Sequence, residues 1–216
     1  NIFLIRDAAQ SFGSLYQQKH IANHCDVSSI SFYPTKTLSC YGEGGAVFTF
    51  SKSIADKLYA IRNHGIFKDE SKVSILGLNG RFDTIQAIII LEKLKIYKEE
   101  LKKRQEIAQY YKKNISSSYV IQNITSNAKS TYSQFPVICN EVKRDIVISL
   151  LDENKIPFKI YYEKTLSSLS PFNDNLYSSN LDNSNNITSR ILNLPIHPYL
   201  LDKDVKKVVE VLNRLG

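Results

Sequence analysis

Apolar and polar positions divide the chain into segments with different periods. Ile2-Phe3-Leu4-Ile5 is a continuous apolar run. It predicts a short parallel strand buried on both faces, with Asp7 at its carboxyl end. Val27–Tyr33 predicts a second strand, broken by Pro34-Thr35-Lys36. Gly42-Glu43-Gly44-Gly45 predicts a tight turn, followed by a third strand over Ala46–Phe50. Ser51 or Ser53 is placed to cap a helix running to Asn63, which His64-Gly65 would end. From Asp83 to Ser116 the period becomes helical. Ile85, Ile88, Ile89, Leu91, Leu94, Ile96, Tyr97 and Leu101 form a broad apolar face, and Asp83 suits the positive end of the helix dipole. Such a length predicts a helix that bends or links two domains. Its basic second half, including Lys98, Lys102, Lys103, Arg104, Lys112 and Lys113, reads as a solvated face.

After Ser116 the pattern changes. Tyr132–Cys139 alternates like a half-exposed strand. Arg144–Asn154 predicts a short helix, Phe158–Tyr162 a strand, and Asn173–Asn186, rich in Asn, Ser and Asp, an irregular surface loop. Leu192–Pro195 is extended, and Asp202 is placed to cap a last amphipathic helix over Lys203–Leu215. The fold class is therefore α/β in the first part, residues 1–116, followed by a small α+β domain, residues 117–216. No internal repeat is visible.

Composition narrows the possibilities. The chain has 216 residues, 43% hydrophobic and 23% charged, in the range of folded globular proteins. No run approaches the ~18 consecutive apolar residues of a membrane span, and no basic-then-apolar leader opens the chain. Cys25, Cys40 and Cys139 are spaced for neither a disulfide framework nor a metal pair, so a reducing cytoplasm is the expected compartment. A net charge of +7 admits anionic ligands, but the basic helix lacks interleaved aromatics and does not predict nucleic-acid binding. Three N-x-[ST] triplets, at Asn114, Asn123 and Asn186, are expected by chance in so Asn- and Ser-rich a chain. Met is absent and an apolar strand stands at the start. The expectation is a piece of a longer protein.

Three features carry candidate chemistry. Asp7 follows a strand, where ligands of open α/β sheets bind, although a lone Asp there also serves as a turn residue. Lys36 lies in the loop after the next strand, where a lone lysine is usually a solvated charge. The Gly42–Gly45 turn lets backbone approach a neighbour closely, as hairpin turns also do.

Together they form an ordered series: D-A-A-Q from Asp7, S-F-x-P-T-K from Ser31, G-E-G-G-A-V from Gly42, H-G at His64, and N-x-R-x-D-x-x-Q-A from Asn79. The series closes with Leu194-Pro195-Ile196-His197-Pro198. In this order the motifs resemble the DegT/DnrJ/EryC1/StrS family of sugar aminotransferases, and the resemblance runs the length of the chain. It implies part of a fold type I pyridoxal-phosphate enzyme: the later part of the large domain, a mixed sheet with helices, then a small α+β domain. It also implies transfer of an amino group from glutamate to a nucleotide-linked keto sugar, for surface polysaccharide or amino-sugar biosynthesis.

Residue roles follow from the same resemblance. Lys36 matches the Schiff-base lysine, which must lose its proton to act as a nucleophile and then shuttles protons. Asp7 matches the carboxylate facing the pyridine nitrogen. Gln10 matches the side chain beside the cofactor hydroxyl, and Ser31 a phosphate ligand. Asn79 matches an asparagine that reaches the neighbouring subunit's cofactor phosphate, which implies a homodimer with shared active sites. Arg81 matches an arginine near the sugar, or it pairs with Asp83 or a helix end. Tyr161-Tyr162 matches a His-Tyr pair at the sugar site and departs from it at the first residue. A lysine at position 36 favours transamination over dehydration, and Asn79–Ala87 resembles the enzymes that aminate C3. Arg6 stands where the family usually has Glu, a structural position.

Family members carry a substantial segment before the D-A-A-Q strand, with phosphate-binding backbone at a helix N-terminus and an aromatic that stacks on the ring. The expectation is that this chain alone binds the cofactor poorly and exposes a sheet edge. The alternative is a non-catalytic chain keeping the fold for dimerisation or ligand binding.

Overall fold

A computed structural model describes residues 2–69, 71–170 and 181–216. In chain order the elements are β1 (Ile5–Asp7), β2 (Leu15–Tyr16), β3 (Lys19–His20), β4 (Val27–Ser31), β5 (Gly45–Thr49), α1 (Lys52–Arg62), α2 (Thr84–Asn114), β6 (Tyr119–Ile121), β7 (Ala128–Lys129), β8 (Phe135–Cys139), α3 (Arg144–Glu153), α4 (Asp182–Thr188), β9 (Ile191–Leu194) and α5 (Asp202–Leu212). They form two compact units, residues 1–102 with 124–133, and residues 103–123 with 134–216. The division falls inside α2; the sequence-based division stood at 116/117.

The first unit holds a mixed sheet in the order β1-β4-β5. β1 runs parallel to β4, with Asp7 opposite Ser29, and β5 runs antiparallel, with Gly45 opposite Ser31. The strand expected over Ile2–Ile5 is displaced: the ladder begins at Ile5, and the side chains of Ile2 to Ile5 are exposed rather than buried, Ile5 at 68%. The cause is position, because β1 lies at the edge of this sheet and only its β4 side is paired. A second small sheet, β3-β2-β7, was not visible in the apolar pattern because its strands are two residues long.

Two caps form where the side chains predict them. Ser51 Oγ accepts from the Ile54 N–H at 3.4 Å at the start of α1. Asp83 Oδ1 accepts from the Ile85 and Gln86 N–H groups at 2.8 and 3.2 Å, ahead of α2. His64 and Gly65 take positive φ and end α1. The first core gathers Ala8, Ile30, Phe32, Leu38, Cys40, Ile90 and Tyr97. Of the broad apolar face expected on α2, Tyr97 turns inward, joined by Ile90, which that face did not include, while Ile85, Ile88, Leu91, Leu94 and Ile96 are exposed, Leu91 at 60%.

In the second unit β6, β8 and β9 form an antiparallel sheet. Phe135, Val137 and Cys139 alternate into the core. α5 adds Val205, Val208, Val209 and Leu212, the i, i+3, i+4, i+7 stripe of an amphipathic helix.

Four expectations are corrected here. Phe158–Tyr162 is not a strand: Lys159 alone bridges Asn193, so no ladder propagates. Part of the Asn/Ser-rich segment is helical, as α4, while its residues 173–180 lie outside the described residues. Asp202 does not cap α5; it is the first helical residue and accepts an ion pair from Lys103 at 3.0 Å. Arg104 is not solvated. It is 9% exposed and donates to the Ile196 carbonyl at 2.9 Å, the pairing a buried guanidinium requires.

Candidate active site

Asp7, Gln10, Ser31 and Lys36 stand at or just after the carboxyl ends of β1 and β4. Asp7 is the last residue of β1, and the next amide, Ala8, donates to the Ser29 carbonyl at 2.8 Å, which holds the strand end against β4. The exposed Asp7 carboxylate accepts from the Ala9 N–H at 3.0 Å through Oδ1. This short local bond turns the chain, and Ser11 N–H to Ala8 carbonyl closes the turn around the exposed Gln10. Ser31 ends β4. Its Oγ accepts from the Tyr33 N–H at 3.2 Å, which leaves its own proton available to an anion.

Lys36 sits in the loop between β4 and β5. Its N–H donates to the Tyr33 carbonyl at 2.9 Å, closing a turn over Pro34 and Thr35. The side chain is half-buried, and among the described residues Nζ makes no hydrogen bond or ion pair. The loop is shut at its base: Phe32 N–H donates to the Gly44 carbonyl and Cys40 N–H to the Phe32 carbonyl, both at 2.8 Å. Gly44 is required here, because an added Cβ would meet the Phe82 ring. Phe82 stacks on Phe32 with centroids 5.8 Å apart.

Helix α2 holds the same loop at three alternate residues, a feature the sequence did not disclose. Tyr41 N–H donates to Gln86 Oε1 at 2.7 Å. Lys93 Nζ donates to Ser39 Oγ at 3.2 Å and lies over the Tyr41 ring, 4.8 Å from its centroid. Thr37 Oγ1 and the Tyr97 hydroxyl are 3.1 Å apart. Positions 86, 93 and 97 share one helix face by their spacing. Tyr97 counted as an apolar residue in the sequence pattern, which hid the role of its hydroxyl.

Asn79 and Arg81 lie on the stretch leading into α2. Backbone bonds tie this stretch to the end of α1, with His64 N–H to Leu78 carbonyl at 3.0 Å and Gly80 N–H to Arg62 carbonyl at 2.9 Å. Both side chains are exposed. The partner of Arg81 is His64, not Asp83: NH1 lies 2.6 Å from Nε2. Tyr161 and Tyr162 belong to the second unit, joined by a cis peptide bond. Their rings are 5.5 Å apart, and Tyr162 is 70% exposed.

Burial holds His20 below the ordinary histidine range, and it does the same to His197, which the Arg104 charge depresses further. Among the described residues no group of His, Cys, Asp and Glu is placed to hold a metal, and no helix is long and apolar enough to cross a membrane.

An amine with no partner among the described residues, a carboxylate and a hydroxyl, all following the carboxyl ends of β1 and β4, are a donor set that fits a carbonyl cofactor with a ring nitrogen and a phosphate. Comparison with known proteins points the same way. The profile of the DegT/DnrJ/EryC1/StrS aminotransferase family matches residues 1–213. The chain is 33% identical over 210 residues to the UDP-2-acetamido-2-deoxy-3-oxo-D-glucuronate aminotransferase of Pseudomonas aeruginosa, covering 97% of this chain and 57% of that protein. It is 31% identical to the dTDP-3-amino-3,6-dideoxy-alpha-D-galactopyranose transaminase of Aneurinibacillus thermoaerophilus, covering 100% and 59%. A crystal structure of a DegT DnrJ EryC1 StrS aminotransferase from Brucella abortus superposes with a TM-score of 0.90 at 34% identity, over 98% of this chain and 57% of that one. The chain thus spans rather more than half the length of these relatives.

Proposed function

Because this chain belongs to the DegT/DnrJ/EryC1/StrS aminotransferase family, whose members depend on pyridoxal phosphate, we propose that it works in moving an amino group from glutamate to carbon 3 of a nucleotide-linked keto sugar. The setting is cytoplasmic and the assembly a homodimer with shared sites. The observation that carries this reading is the pairing of β1 with β4, which sets Asp7 and the Lys36 loop after the carboxyl ends of neighbouring strands; among the described residues Lys36 Nζ makes no hydrogen bond or ion pair.

Bound pyridoxal phosphate supplies a protonated ring that accepts the electron pair left on carbon when a proton is removed. The chain's own residues do the rest. Lys36 Nζ would hold the cofactor through its carbonyl carbon, with the carbonyl oxygen leaving as water, and once released would carry a proton at the same atom. The Asp7 carboxylate keeps the ring nitrogen protonated; its Oδ1 is oriented by Ala9 N–H. Ser31 would donate its hydroxyl proton to the phosphate, and Gln10 would serve the ring hydroxyl. Asn79 serves the cofactor phosphate of the neighbouring copy. Arg81, held by His64, would contact the sugar nucleotide; in the second unit, Tyr161 and Tyr162 keep only the sugar-binding role that the motif resemblance implies.

The test is borohydride reduction of the protein mixed with pyridoxal phosphate, followed by peptide mapping. A reduced adduct on Lys36, absent in Lys36→Ala, is the expected result. An adduct on other lysines only would overturn the assignment.

A further inference from the structure

The Tyr97 hydroxyl joins the two segments that carry the proposed chemistry. It donates to the Phe12 carbonyl at 2.6 Å, and a phenol has one proton to give. The contact with Thr37 at 3.1 Å must therefore run the other way, with Thr37 Oγ1 donating to the Tyr97 oxygen. Thr37 is the residue after Lys36, and Phe12 stands two residues beyond Gln10. The ring is 8% exposed and packs against Phe12, with centroids 5.4 Å apart. Tyr97 also limits its surroundings: a Cβ on Gly13, whose φ is +88°, would lie 3.0 Å from the same hydroxyl.

We infer that Tyr97 is a positioning residue: through one buried hydroxyl it ties the Lys36 loop to the Asp7–Gln10 segment and so sets the spacing between the amine and the carboxylate. This rests on the functional reading above. It goes beyond that reading in assigning the spacing to a residue of α2 to which that reading gives no role. The chain-order motifs place Asp7 and Lys36 on separate loops, each closed by its own local turn. Among the described side chains, the Tyr97 hydroxyl is bonded to both segments. Misplacement of reacting groups by about 1 Å lowers rates by around a hundredfold, so such a tie has kinetic consequence.

The experiment compares Tyr97→Phe, Thr37→Val and Thr37→Ser with the unaltered protein. Tyr97→Phe keeps the ring and removes both bonds; Thr37→Val removes one; Thr37→Ser keeps the hydroxyl. Two readouts are taken at 25 °C. The first is amide hydrogen exchange, which needs no cofactor. In Tyr97→Phe the amides of Lys36, Cys40, Ser11 and Ser14 should exchange about tenfold faster, while those of residues 86–92 stay unchanged. Thr37→Val should affect Lys36 and Cys40 alone, and Thr37→Ser neither pair. The second is titration with pyridoxal phosphate followed by absorbance, where Tyr97→Phe and Thr37→Val should bind about tenfold more weakly and Thr37→Ser normally. Unchanged exchange at both segments in Tyr97→Phe overturns the inference. So does a fall in thermal midpoint alone, with exchange and cofactor binding unaltered. If the unaltered protein binds no cofactor on Lys36, the functional reading fails by itself, and the exchange measurement still decides the tie.

Discussion

Arg81 NH1 lies 2.6 Å from His64 Nε2. A guanidinium only donates, so Nε2 must be the accepting nitrogen and the ring proton must sit on Nδ1. The imidazole thereby fixes one end of the fork on an exposed side chain.

A fork so held suits the planar carboxylate of an acidic sugar. Arg81→Lys should raise KM for an acidic sugar nucleotide about tenfold, with kcat changed much less. Steady-state kinetics with charged and uncharged sugars would show it. Equal losses for both substrates would remove Arg81 from anion recognition.

The turn over Gly42–Gly45 gives a second expectation. At Gly44 an added Cβ would lie 2.9 Å from Phe82 Cζ and 3.1 Å from Cys40 Sγ, whereas at Gly42 it would meet only the Gln86 amide, at 3.4 Å. Gly44→Ala should cost about 1–3 kcal/mol and Gly42→Ala far less. Urea unfolding of the two variants checks the order.

In the second unit, Leu151 on α3 is fully buried beside residues such as Val147. Leu151→Ala should cost about 3 kcal/mol, the transfer term plus the cavity left behind. Ile146, on the same helix but half exposed, should lose under about 1 kcal/mol on the same change. Denaturant midpoints separate the two.

Acid sensitivity follows from His20. The Gly13 and Ala22 N–H groups point at its two ring nitrogens at 3.0 and 3.2 Å, and burial lowers its affinity for a proton. The unfolded chain therefore takes up the proton first as pH falls below 6.5, the ordinary value. Stability should be full above that pH and decline below it until the folded ring is protonated as well. His20→Gln should lose less stability than the unaltered protein between pH 7.5 and 5.5. His197, also lowered, keeps part of the slope in both. The downward shift of Asp69, from 3.8, acts at lower pH, outside this window. A slope identical in the two proteins would exclude His20.

The parts legible in the sequence are those governed by local rules. Ser51 and Asp83 announce helix starts because their oxygens satisfy amides two or three residues on. Val27–Ser31 and Arg144–Glu153 announce themselves by period. What stayed hidden depends on partners distant in the chain. β1 shifted because pairing with Val27–Ser29 sets its ladder, not its own apolar run. Phe158–Tyr162 has strand-forming residues but meets a neighbour only at Lys159. α4 forms from Asn and Ser, whose composition reads as loop. Arg104 looked solvated because a charge gives no sign of the carbonyl that awaits it. In the candidate site, Asp7, Ser31 and Lys36 stood out through their motifs, and Gln86 stood in one without a role, while the contacts of Gln86, Lys93 and Tyr97 stayed hidden, because a contact across more than 40 residues has no period.

The three attachments of α2 to residues 37, 39 and 41 make the helix a ruler for the loop. A helix turns about 100° per residue. Deleting one residue between Gln86 and Lys93 would swing Lys93 and Tyr97 a quarter-turn or more away from Ser39 and Thr37, while Gln86 kept its hold on Tyr41. The loop can therefore change its side chains pair by pair with the helix. The number of residues in that stretch of helix is not free to drift, even though much of its outward face is open to substitution.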